Sequence, residues 1–325
     1  MRLVTYNDGP RGDRVGLLLK DDAILDLQSA NEKVYSRPAE HFQSMLDLIK
    51  GGPKVLDAAR ALGRAAPETA IKPYNAVVIR PPIPVPPRVR VTFLFQKHLP
   101  IALTGFAEMA ANSADDPKRA FETGNAFWQK DVPSDEAFKR DLIAGYRDRL
   151  LMSGSGAKIK WREESAWIDF ELEVMAVIGD YISNASKEEA KKKIFGYTLF
   201  NDTSARDVQF LAQILGSGVR GKESNGSYPC GPCIATADEF DVYKMKTTLK
   251  VNGVVWGEGD MSKVDKTFED VIAASSVRKP WVPGEMISGS TVQGCCGLET
   301  RRSAKRGDVV ELIGEGIGTL RTHIV

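Results

Sequence analysis

Two glutamates, Glu171 and Glu173, stand inside a run of apolar and aromatic residues that is typical of a β-strand. Side chains two positions apart on a strand point to the same face, so these carboxylates are expected ~7 Å apart. Two negative charges this close in an apolar run are unfavourable unless something compensates them. A bound divalent cation is one interpretation, and a solvated strand face with two ordinary glutamates is the other.

A second strand-like run, over residues 195–200, ends in a cluster of polar residues that includes Asp202. Loops at strand ends often carry function, so Asp202 is a candidate third oxygen ligand. The chain has three histidines, His41, His98 and His323, which nearly excludes a site built from several histidines. A metal would be held mainly by carboxylates, and this favours a hard ion such as Mg²⁺, Mn²⁺ or Ca²⁺.

The composition of the 325 residues limits the classes of protein to consider. The hydrophobic fraction of 42% and the charged fraction of 27% are ordinary for a soluble globular protein. The 44 basic and 43 acidic residues give a net charge of +1, so no global basic field attracts nucleic acid. No run of ~18 apolar residues and no signal-peptide core occur. The four cysteines fit reduced thiols, so we expect a cytoplasmic protein with neither nucleic-acid nor membrane partners.

The elements that position the acids are predicted from periodicity and from turn residues. The N-terminal segment predicts two short strands around a turn, followed by helices over residues 41–49 and 54–62. Five prolines between residues 81 and 87 cannot continue a helix or a central strand. We therefore expect a small N-terminal domain in residues 1–80, a proline-rich linker in 81–88 and a larger domain in 89–325.

The larger domain is predicted to begin with a strand over residues 89–95. The segment 104–125 is rich in small and polar residues, which predicts a mobile stretch. An amphipathic helix is predicted over 134–151, where Ser134 is suited to cap the first turn. Strands and turns dominate after residue 166, and a capping box at Ser186 predicts one short helix among them.

A series of motifs, spread in a fixed order over residues 75–325, resembles the fumarylacetoacetate hydrolase family. The motifs that carry the resemblance are Glu171-x-Glu173, Gly196-Tyr197-Thr198, Asn201-Asp202-x-Ser204-Ala205-Arg206-Asp207-x-Gln209, Gly221-Lys222-x3-Gly226-Ser227-x-Pro229-x-Gly231-Pro232, Val251-Asn252-Gly253, Pro283-Gly284-Glu285-x-Ile287-Ser288-Gly289-Ser290-Thr291, Gly307-Asp308-Val309-x-Glu311 and Glu315-Gly316-Ile317-Gly318-Thr319-Leu320. Each motif alone is weak, but their shared order makes the resemblance specific.

The resemblance implies an α+β, mostly β fold, in which a mixed β-roll catalytic domain, usually dimeric, follows a small N-terminal α+β domain. It implies Mg²⁺ or Mn²⁺ on Glu171, Glu173 and Asp202. Family members cleave a C–C bond in β-diketo acids or acylpyruvates, or decarboxylate oxaloacetate, and some relatives dehydrate or isomerise sugar acids and dienoates. Such chemistry suits the site, because a 1,3-dicarbonyl or 2-oxo acid can chelate a divalent ion that stabilises the enolate.

The resemblance also assigns roles to individual side chains. His98 matches the catalytic histidine that activates water as a general base, and the alternative is an ordinary, partly buried histidine. Lys222 is expected to stabilise developing negative charge, unless it is only a surface lysine. Arg206 and Gln209 are expected to hold the substrate or orient the site, although Arg206 could form only a structural ion pair. The candidates for substrate contact are Arg206, Gln209, Lys130 and Thr291.

Three features depart from the family pattern. Members with an acid three residues after the histidine use it to orient the imidazole, but Ile101 stands there. Members with a fourth carboxylate ligand carry it seven residues before the histidine, where this chain has Val91. The segment 99–153, which forms a lid in the family and sets the substrate, is long. Glu108 or Glu122 from that lid could replace the missing acid.

These observations favour a divalent-metal-dependent hydrolase of acylpyruvate-like substrates, acting as a homodimer. The alternative within the fold is an oxaloacetate-type decarboxylase or related enolate chemistry, such as a dehydratase or isomerase. The alternative of another class is a non-catalytic protein that binds a metal or a small acid. A thiol oxidoreductase is disfavoured, because Cys230-Gly231-Pro232-Cys233 lacks the usual preceding tryptophan and an early strand–helix unit.

Overall fold

The computed structural model describes residues 1–9, 11–20, 23–112, 114–130, 132, 134–140, 143–214 and 219–325. The helices are α1 (Leu27–Tyr35), α2 (Met45–Lys50), α3 (Gly52–Ala65), α4 (His98–Ala111), α5 (Pro117–Gln129), α6 (Asp135–Arg140), α7 (Lys187–Lys192), α8 (Arg206–Ile214), α9 (Phe268–Ser276) and α10 (Gly297–Thr300). The strands are β1 (Arg2–Asn7), β2 (Asp13–Lys20), β3 (Ala23–Asp26), β4 (Ile71–Pro73), β5 (Val78–Ile79), β6 (Val89–Val91), β7 (Gly145–Arg147), β8 (Met152–Ser153), β9 (Ala157–Ile159), β10 (Ile168–Asp169), β11 (Glu171–Ile178), β12 (Ile194–Asn201), β13 (Ser204–Ala205), β14 (Tyr228–Thr236), β15 (Lys246–Val251), β16 (Val254–Asp260), β17 (Met286–Cys296), β18 (Val309–Gly314) and β19 (Gly318–Ile324).

One large sheet contains 12 strands. Ten of them follow the order β4-β3-β2-β1-β14-β12-β11-β17-β6-β7, while β5 pairs with β1 and β8 pairs with β14. A second sheet of five strands has the order β16-β15-β18-β19-β9, and β10 pairs with β13. The central strand β11 is antiparallel to both neighbours, β12 and β17. The beginning of β11 therefore lies beside the ends of β12 and β17.

The two faces of β11 pack into different cores, because successive side chains of a strand point to opposite faces. Leu172 and Val174 pack into a core shared with the five-stranded sheet and α9. On the other face, Met175 and Val177 pack into a core that includes residues of α1, α2 and α3. Glu171 and Glu173 lie on this second face, at the beginning of the strand. Because β11 is buried throughout, the alternative of a solvated strand face does not apply.

The N-terminal region continues the large sheet rather than forming a sheet of its own. Strand β1 pairs with β14 through Arg2 opposite Ala235 and Leu3 opposite Ile234. The hairpin of β1 and β2 confirms the two predicted N-terminal strands. The predicted boundary at residues 81–88 stays a prediction, since one sheet spans both sides of it.

The bounds of one predicted helix and one predicted strand were wrong. The helix predicted over residues 134–151 ends with α6 at Arg140. Residues 141 and 142 lie outside the described part of the chain, and β7 then pairs with β6. The reason is tertiary, because pairing with β6 overrides the helical periodicity. The strand predicted over 89–95 likewise contains only Val89–Val91.

Most of the stretch predicted to be mobile, residues 104–125, lies in the helices α4 and α5, which pack against each other, and its mobility stays a prediction. Asp116 caps α5 and accepts a hydrogen bond from the Arg119 amide, and Pro117 occupies the first turn. The predicted capping box at Ser186 is confirmed, with Glu189 as its partner at the start of α7. In the part of the chain that is described, no helix combines the length and the apolarity needed to span a membrane.

A buried ion pair fixes β6 beside β17. Arg90 is 1% exposed, its guanidinium lies 3.6 Å from the centroid of the Trp281 ring, and its Nη2 lies 2.8 Å from Glu285 Oε2. Arg88 contacts the other oxygen of Glu285 at 2.5 Å. This pair sits just before the connection that leads to His98, so it helps to place that connection.

Replacing Arg90 by methionine is expected to lower the free energy of unfolding by about 3–5 kcal/mol, because Glu285 would remain buried with its charge incompletely paired. The measurement is chemical denaturation followed by circular dichroism. Arg321→Met is the control, since the half-exposed Arg321–Glu311 pair is expected to contribute less than about 1 kcal/mol. Equal effects of the two substitutions would contradict this account of the β6–β17 contact.

Candidate metal centre and active site

Two antiparallel strands bring the predicted metal ligands together. Glu171 opens β11, Asp202 follows the last residue of β12, and the Asp202 amide donates a hydrogen bond of 3.3 Å to the Glu171 carbonyl oxygen. Glu173 lies two positions along β11. Carboxylate oxygens from all three side chains lie within 4.8 Å of one another, and all three residues are buried.

Three cationic side chains surround these carboxylates. The Lys222 ammonium contacts Glu171 and lies 3.0 Å from Asp202 Oδ2. Arg147 donates from Nη2 to Asp202 Oδ2 at 2.7 Å. Burial by itself would raise the pKa of Glu171, but the charges of Arg206 and Lys222 outweigh burial and hold that pKa well below its usual range. Glu171 is therefore a carboxylate in this environment.

Glu173 differs from the other two carboxylates. Its Oε2 accepts a hydrogen bond from the Ser288 hydroxyl, while its Oε1 is buried and has no hydrogen-bond partner among the described residues. Burial, followed by the nearby charges of Asp202 and Glu171, raises the pKa of Glu173 well above its usual range. A site with three clustered carboxylates and one unpaired oxygen fits a hard divalent cation such as Mg²⁺ or Mn²⁺, which takes oxygen ligands.

A buried arginine connects the carboxylates to the neighbouring elements. Arg206 donates from Nε to Asp169 at 2.7 Å, from Nη2 to Glu171 at 2.8 Å and from Nη1 to the Gln209 side-chain oxygen at 2.9 Å. Burial alone would lower the pKa of Arg206, but Asp169 and Glu171 raise it well above its usual value. Arg206 therefore stays charged and orients both Glu171 and Gln209, which also leaves Gln209 its amide group for other contacts.

The loop that carries Lys222 packs closely against α8. The Gly221 carbonyl accepts a hydrogen bond of 2.7 Å from the Ala205 amide. A Cβ atom at Gly221 would lie 2.3–2.5 Å from atoms of Gln209, so only glycine permits this approach. The glycine of the Gly221-Lys222 motif thus allows the ammonium to reach the carboxylates.

His98 opens α4 and is oriented by an acid from a distant part of the chain. Its Nδ1 lies 3.1 Å from Glu299 Oε1, and both side chains are buried. Glu299 lies in α10, directly after β17, and its Oε2 accepts a hydrogen bond of 2.8 Å from the Gly294 amide. A carboxylate on Nδ1 stabilises the tautomer that leaves Nε2 free to accept a proton.

The two lid acids that the sequence offered as possible partners of His98 have other surroundings. Glu108 pairs with Arg301, and Glu122 is exposed on α5. The partner of His98 is Glu299, and the Sγ atom of Cys296 lies 3.6 Å from Glu299 Oε2. His98, Cys296 and Glu299 also lie close enough to one another to hold an ion. Burial raises the pKa of the Cys296 thiol well above its usual value, which disfavours the thiolate needed in such a site.

One cavity of about 490 Å³ contains most of the predicted site. The predicted residues that line it are His98, Glu171, Asp202, Arg206, Gln209 and Lys222. Thr291 does not line the cavity; it lies opposite Glu173 in the β11–β17 register, and its buried hydroxyl has no partner among the described residues. Lys130 is exposed at the end of α5 and does not line the cavity, so the structure does not bring it to the site.

Sequence reasoning missed Asp169, Arg147 and Glu299. Asp169 accepts hydrogen bonds from the Gly297 and Leu298 amides as well as from Arg206, so it ties α10 to the carboxylates. Asp169 belongs to the same alternation as Glu171 and Glu173, so this pattern could have identified it. No local pattern pointed to Glu299, because it lies 201 positions from His98.

Comparisons with known proteins show which family the chain belongs to. The family model described as fumarylacetoacetate (FAA) hydrolase C-terminal matches residues 107–325. The chain belongs to the fumarylacetoacetate hydrolase family. The oxaloacetate tautomerase YisK of Bacillus subtilis is 25% identical over 319 residues, which cover 95% of each chain. The family predicted from the motifs is therefore confirmed.

Solved structures of family proteins share the fold. Fumarylacetoacetate hydrolase from Exiguobacterium antarcticum has a TM-score of 0.70 and 20% identity, with 100% of this chain and 99% of that chain covered. Maleylpyruvate hydrolase from Sphingobium sp. SYK-6, in complex with manganese(II) and pyruvate, has a TM-score of 0.68 and 19% identity, with the same coverage. These matches confirm the predicted α+β, fumarylacetoacetate hydrolase-type fold. Relatives include hydrolases, isomerases and a tautomerase, so the family consists of enzymes that act on small acids.

Replacing Glu173 by glutamine is expected to weaken Mn²⁺ binding by at least about 100-fold, because the substitution removes the charge of a ligand. Substitutions of residues that only support the ligands usually lower metal affinity by about 10–100-fold. Isothermal titration calorimetry of the chelator-stripped protein measures this affinity. Glu299→Gln is the matched control, since it makes the same change to a carboxylate outside the cluster and is expected to leave Mn²⁺ affinity within about threefold of wild type. Unchanged binding by Glu173→Gln would remove Glu173 from the ligand set.

Proposed function

We propose that the protein is a divalent-metal-dependent hydrolase that cleaves a C–C bond in a β-diketo acid of the acylpyruvate type. The observation that carries this proposal is the pairing of His98 with Glu299 in the same cavity as Glu171 and Asp202. A histidine held by a carboxylate is the arrangement that water activation requires. A cluster of carboxylates nearby is the arrangement that Mg²⁺ or Mn²⁺ requires.

Glu171, Glu173 and Asp202 would hold the ion, with Mg²⁺ and Mn²⁺ as the first candidates and Ca²⁺ as a further one. When bound, the ion supplies Lewis-acid polarisation of the substrate oxygens. Lys222 and Arg147 contact the same carboxylates, and both can turn toward the carboxylate of a bound substrate when a cation neutralises the cluster. Gln209, held by Arg206, adds a hydrogen-bonding group to the cavity, and Thr291 offers a buried hydroxyl on the strand position opposite Glu173.

The remaining chemistry rests on His98. Its Nε2 takes a proton from water, which attacks the acyl carbonyl carbon, while Nδ1–H donates to Glu299 and stabilises the imidazolium. The C–C bond then breaks, its electron pair goes to the leaving carbon, and protonated His98 returns a proton to that carbon. One acylpyruvate and one water thus give one carboxylic acid and one pyruvate.

A second candidate function has a specific observation in its favour. The oxaloacetate tautomerase of Bacillus subtilis covers 95% of this chain and 95% of its own length, so it resembles the N-terminal region as well. An oxaloacetate tautomerase or decarboxylase, or a related isomerase or dehydratase, could use His98 for proton transfer at carbon without water attack. The non-catalytic alternative predicts metal binding without turnover. We carry over cytoplasmic location and homodimer assembly as proposals from the family resemblance.

The first test offers chelator-stripped protein acetylpyruvate, fumarylpyruvate and oxaloacetate, with and without Mn²⁺ or Mg²⁺. We expect metal-dependent release of pyruvate and a carboxylic acid from an acylpyruvate. Turnover of oxaloacetate alone would support the second candidate. Silence toward all three substrates, with Mn²⁺ still bound, would contradict the hydrolase proposal.

His98→Asn is expected to lower kcat by about 10²–10⁴-fold, the usual contribution of a general base, with Mn²⁺ affinity retained. Glu299→Gln is expected to lower kcat by about 10²-fold with KM little changed, because it acts through His98 rather than on the substrate. Steady-state kinetics separates the two parameters, and partial rescue by Glu299→Asp would distinguish positioning from folding. Wild-type kcat in His98→Asn would refute the general-base assignment.

A further inference from the structure

Two parts of the cavity lining differ in chemical character. One part consists of Glu171 and Asp202 with Lys222, Arg206 and Arg147. Each of these cations contacts Glu171 or Asp202, so the positive charge of the cavity is concentrated at the candidate metal centre. In the described residues that line the cavity, no lysine or arginine lies elsewhere.

Another part of the lining is an apolar wall that belongs to α4. Leu99, Ala102, Leu103 and Phe106 line the cavity, and their spacing of three, four and seven positions places them on one face of the helix. These four residues form the α4 wall. The helix begins with His98, so the wall and the proposed general base are parts of one element.

Aromatic packing supports the wall from behind. The Phe106 ring lies 6.1 Å from the Phe210 ring, which in turn lies 5.6 Å from Trp128. The Arg206 guanidinium lies 6.0 Å from the Phe106 centroid on the side of the carboxylates. Phe106 thus lies where the charged part of the lining adjoins the apolar part.

This arrangement limits what the far end of a substrate can carry. A second carboxylate against the α4 wall would lose its hydration without gaining a cation, and an unpaired charge in apolar surroundings is strongly disfavoured. An aliphatic or aromatic group would instead be transferred from water to the wall, with an expected gain in affinity of about fourfold for each buried methylene.

We propose, on the basis of the proposed function, that the substrate has one carboxylate, bound beside Lys222, Arg147 and Arg206, and an apolar acyl group on the α4 wall. The substrate class is therefore a monocarboxylic acylpyruvate with an alkyl or aryl acyl group. Leu99, Leu103 and Phe106 are specificity-determining residues, and they select against dicarboxylic substrates of the fumaryl or maleyl type.

The test compares two ligands of equal chain length that undergo no hydrolysis. 2-Oxohexanoate ends in a methyl group and 2-oxoadipate ends in a carboxylate. Isothermal titration calorimetry on the Mn²⁺-loaded protein is expected to give at least tenfold tighter binding of 2-oxohexanoate. Equal or tighter binding of 2-oxoadipate, or no binding of 2-oxohexanoate, would overturn the proposal.

Substitutions in α4 test whether the α4 wall causes the preference for 2-oxohexanoate. Leu103→Arg places a cation on the wall and is expected to reverse the order of the two affinities, whereas Leu103→Met keeps the wall apolar and is expected to preserve the order. Ile101→Arg is the matched control, because it makes the same kind of change on α4 at a residue that does not line the cavity. An unchanged order in a Leu103→Arg protein that still binds Mn²⁺ would show that the wall does not contact the ligand.

This measurement is independent of turnover, so it separates the substrate class from the proposed function. If 2-oxoadipate binds more tightly while acylpyruvates are hydrolysed, the inference about the wall is wrong and the hydrolase proposal stands. If 2-oxohexanoate binds more tightly while no acylpyruvate is hydrolysed, the wall is correctly described and the reaction is wrong.

Discussion

Three carboxylates are buried where β11 begins and β12 ends, and this burial is the constraint on which the rest of the site depends. Glu171, Glu173 and Asp202 lie within 4.8 Å of one another and away from water, and this arrangement is unfavourable without compensating positive charge. Lys222 and Arg147 provide part of that charge. Among the described residues, one oxygen of Glu173 has no hydrogen-bond partner, and burial together with the charges of Asp202 and Glu171 raises the pKa of Glu173. The positive charge that Lys222 and Arg147 supply therefore does not fully offset the cluster.

The same charge network places the proposed base. Asp169 binds Arg206 and also the first amides of α10, the helix that carries Glu299. Arg206 binds Glu171, and Glu299 binds His98. The carboxylates and the histidine therefore belong to one connected set of hydrogen bonds, although they come from distant parts of the chain. Catalytic geometry of this kind needs side chains locked by neighbouring contacts, and this network supplies them.

Sequence reasoning reached the parts of the site that local patterns encode. Alternation on β11 and the polar cluster after β12 located Glu171, Glu173 and Asp202 because a strand has a fixed period. Glu299 could not be found, since its contact with His98 depends on how β17 and α4 pack. Arg147 was lost for a related reason: it was assigned to a helix, whereas pairing with β6 makes its segment a strand. Local propensity is overridden where tertiary pairing is stronger.

The most direct test of the account is the position of a bound divalent ion. Crystals of the protein grown with Mn²⁺ and measured at the manganese absorption edge would show that position as an anomalous peak. The account predicts one peak in contact with oxygens of Glu171, Glu173 and Asp202, with Lys222 moved away from Glu171. A peak at His98, Cys296 and Glu299, or no peak at either cluster, would contradict it.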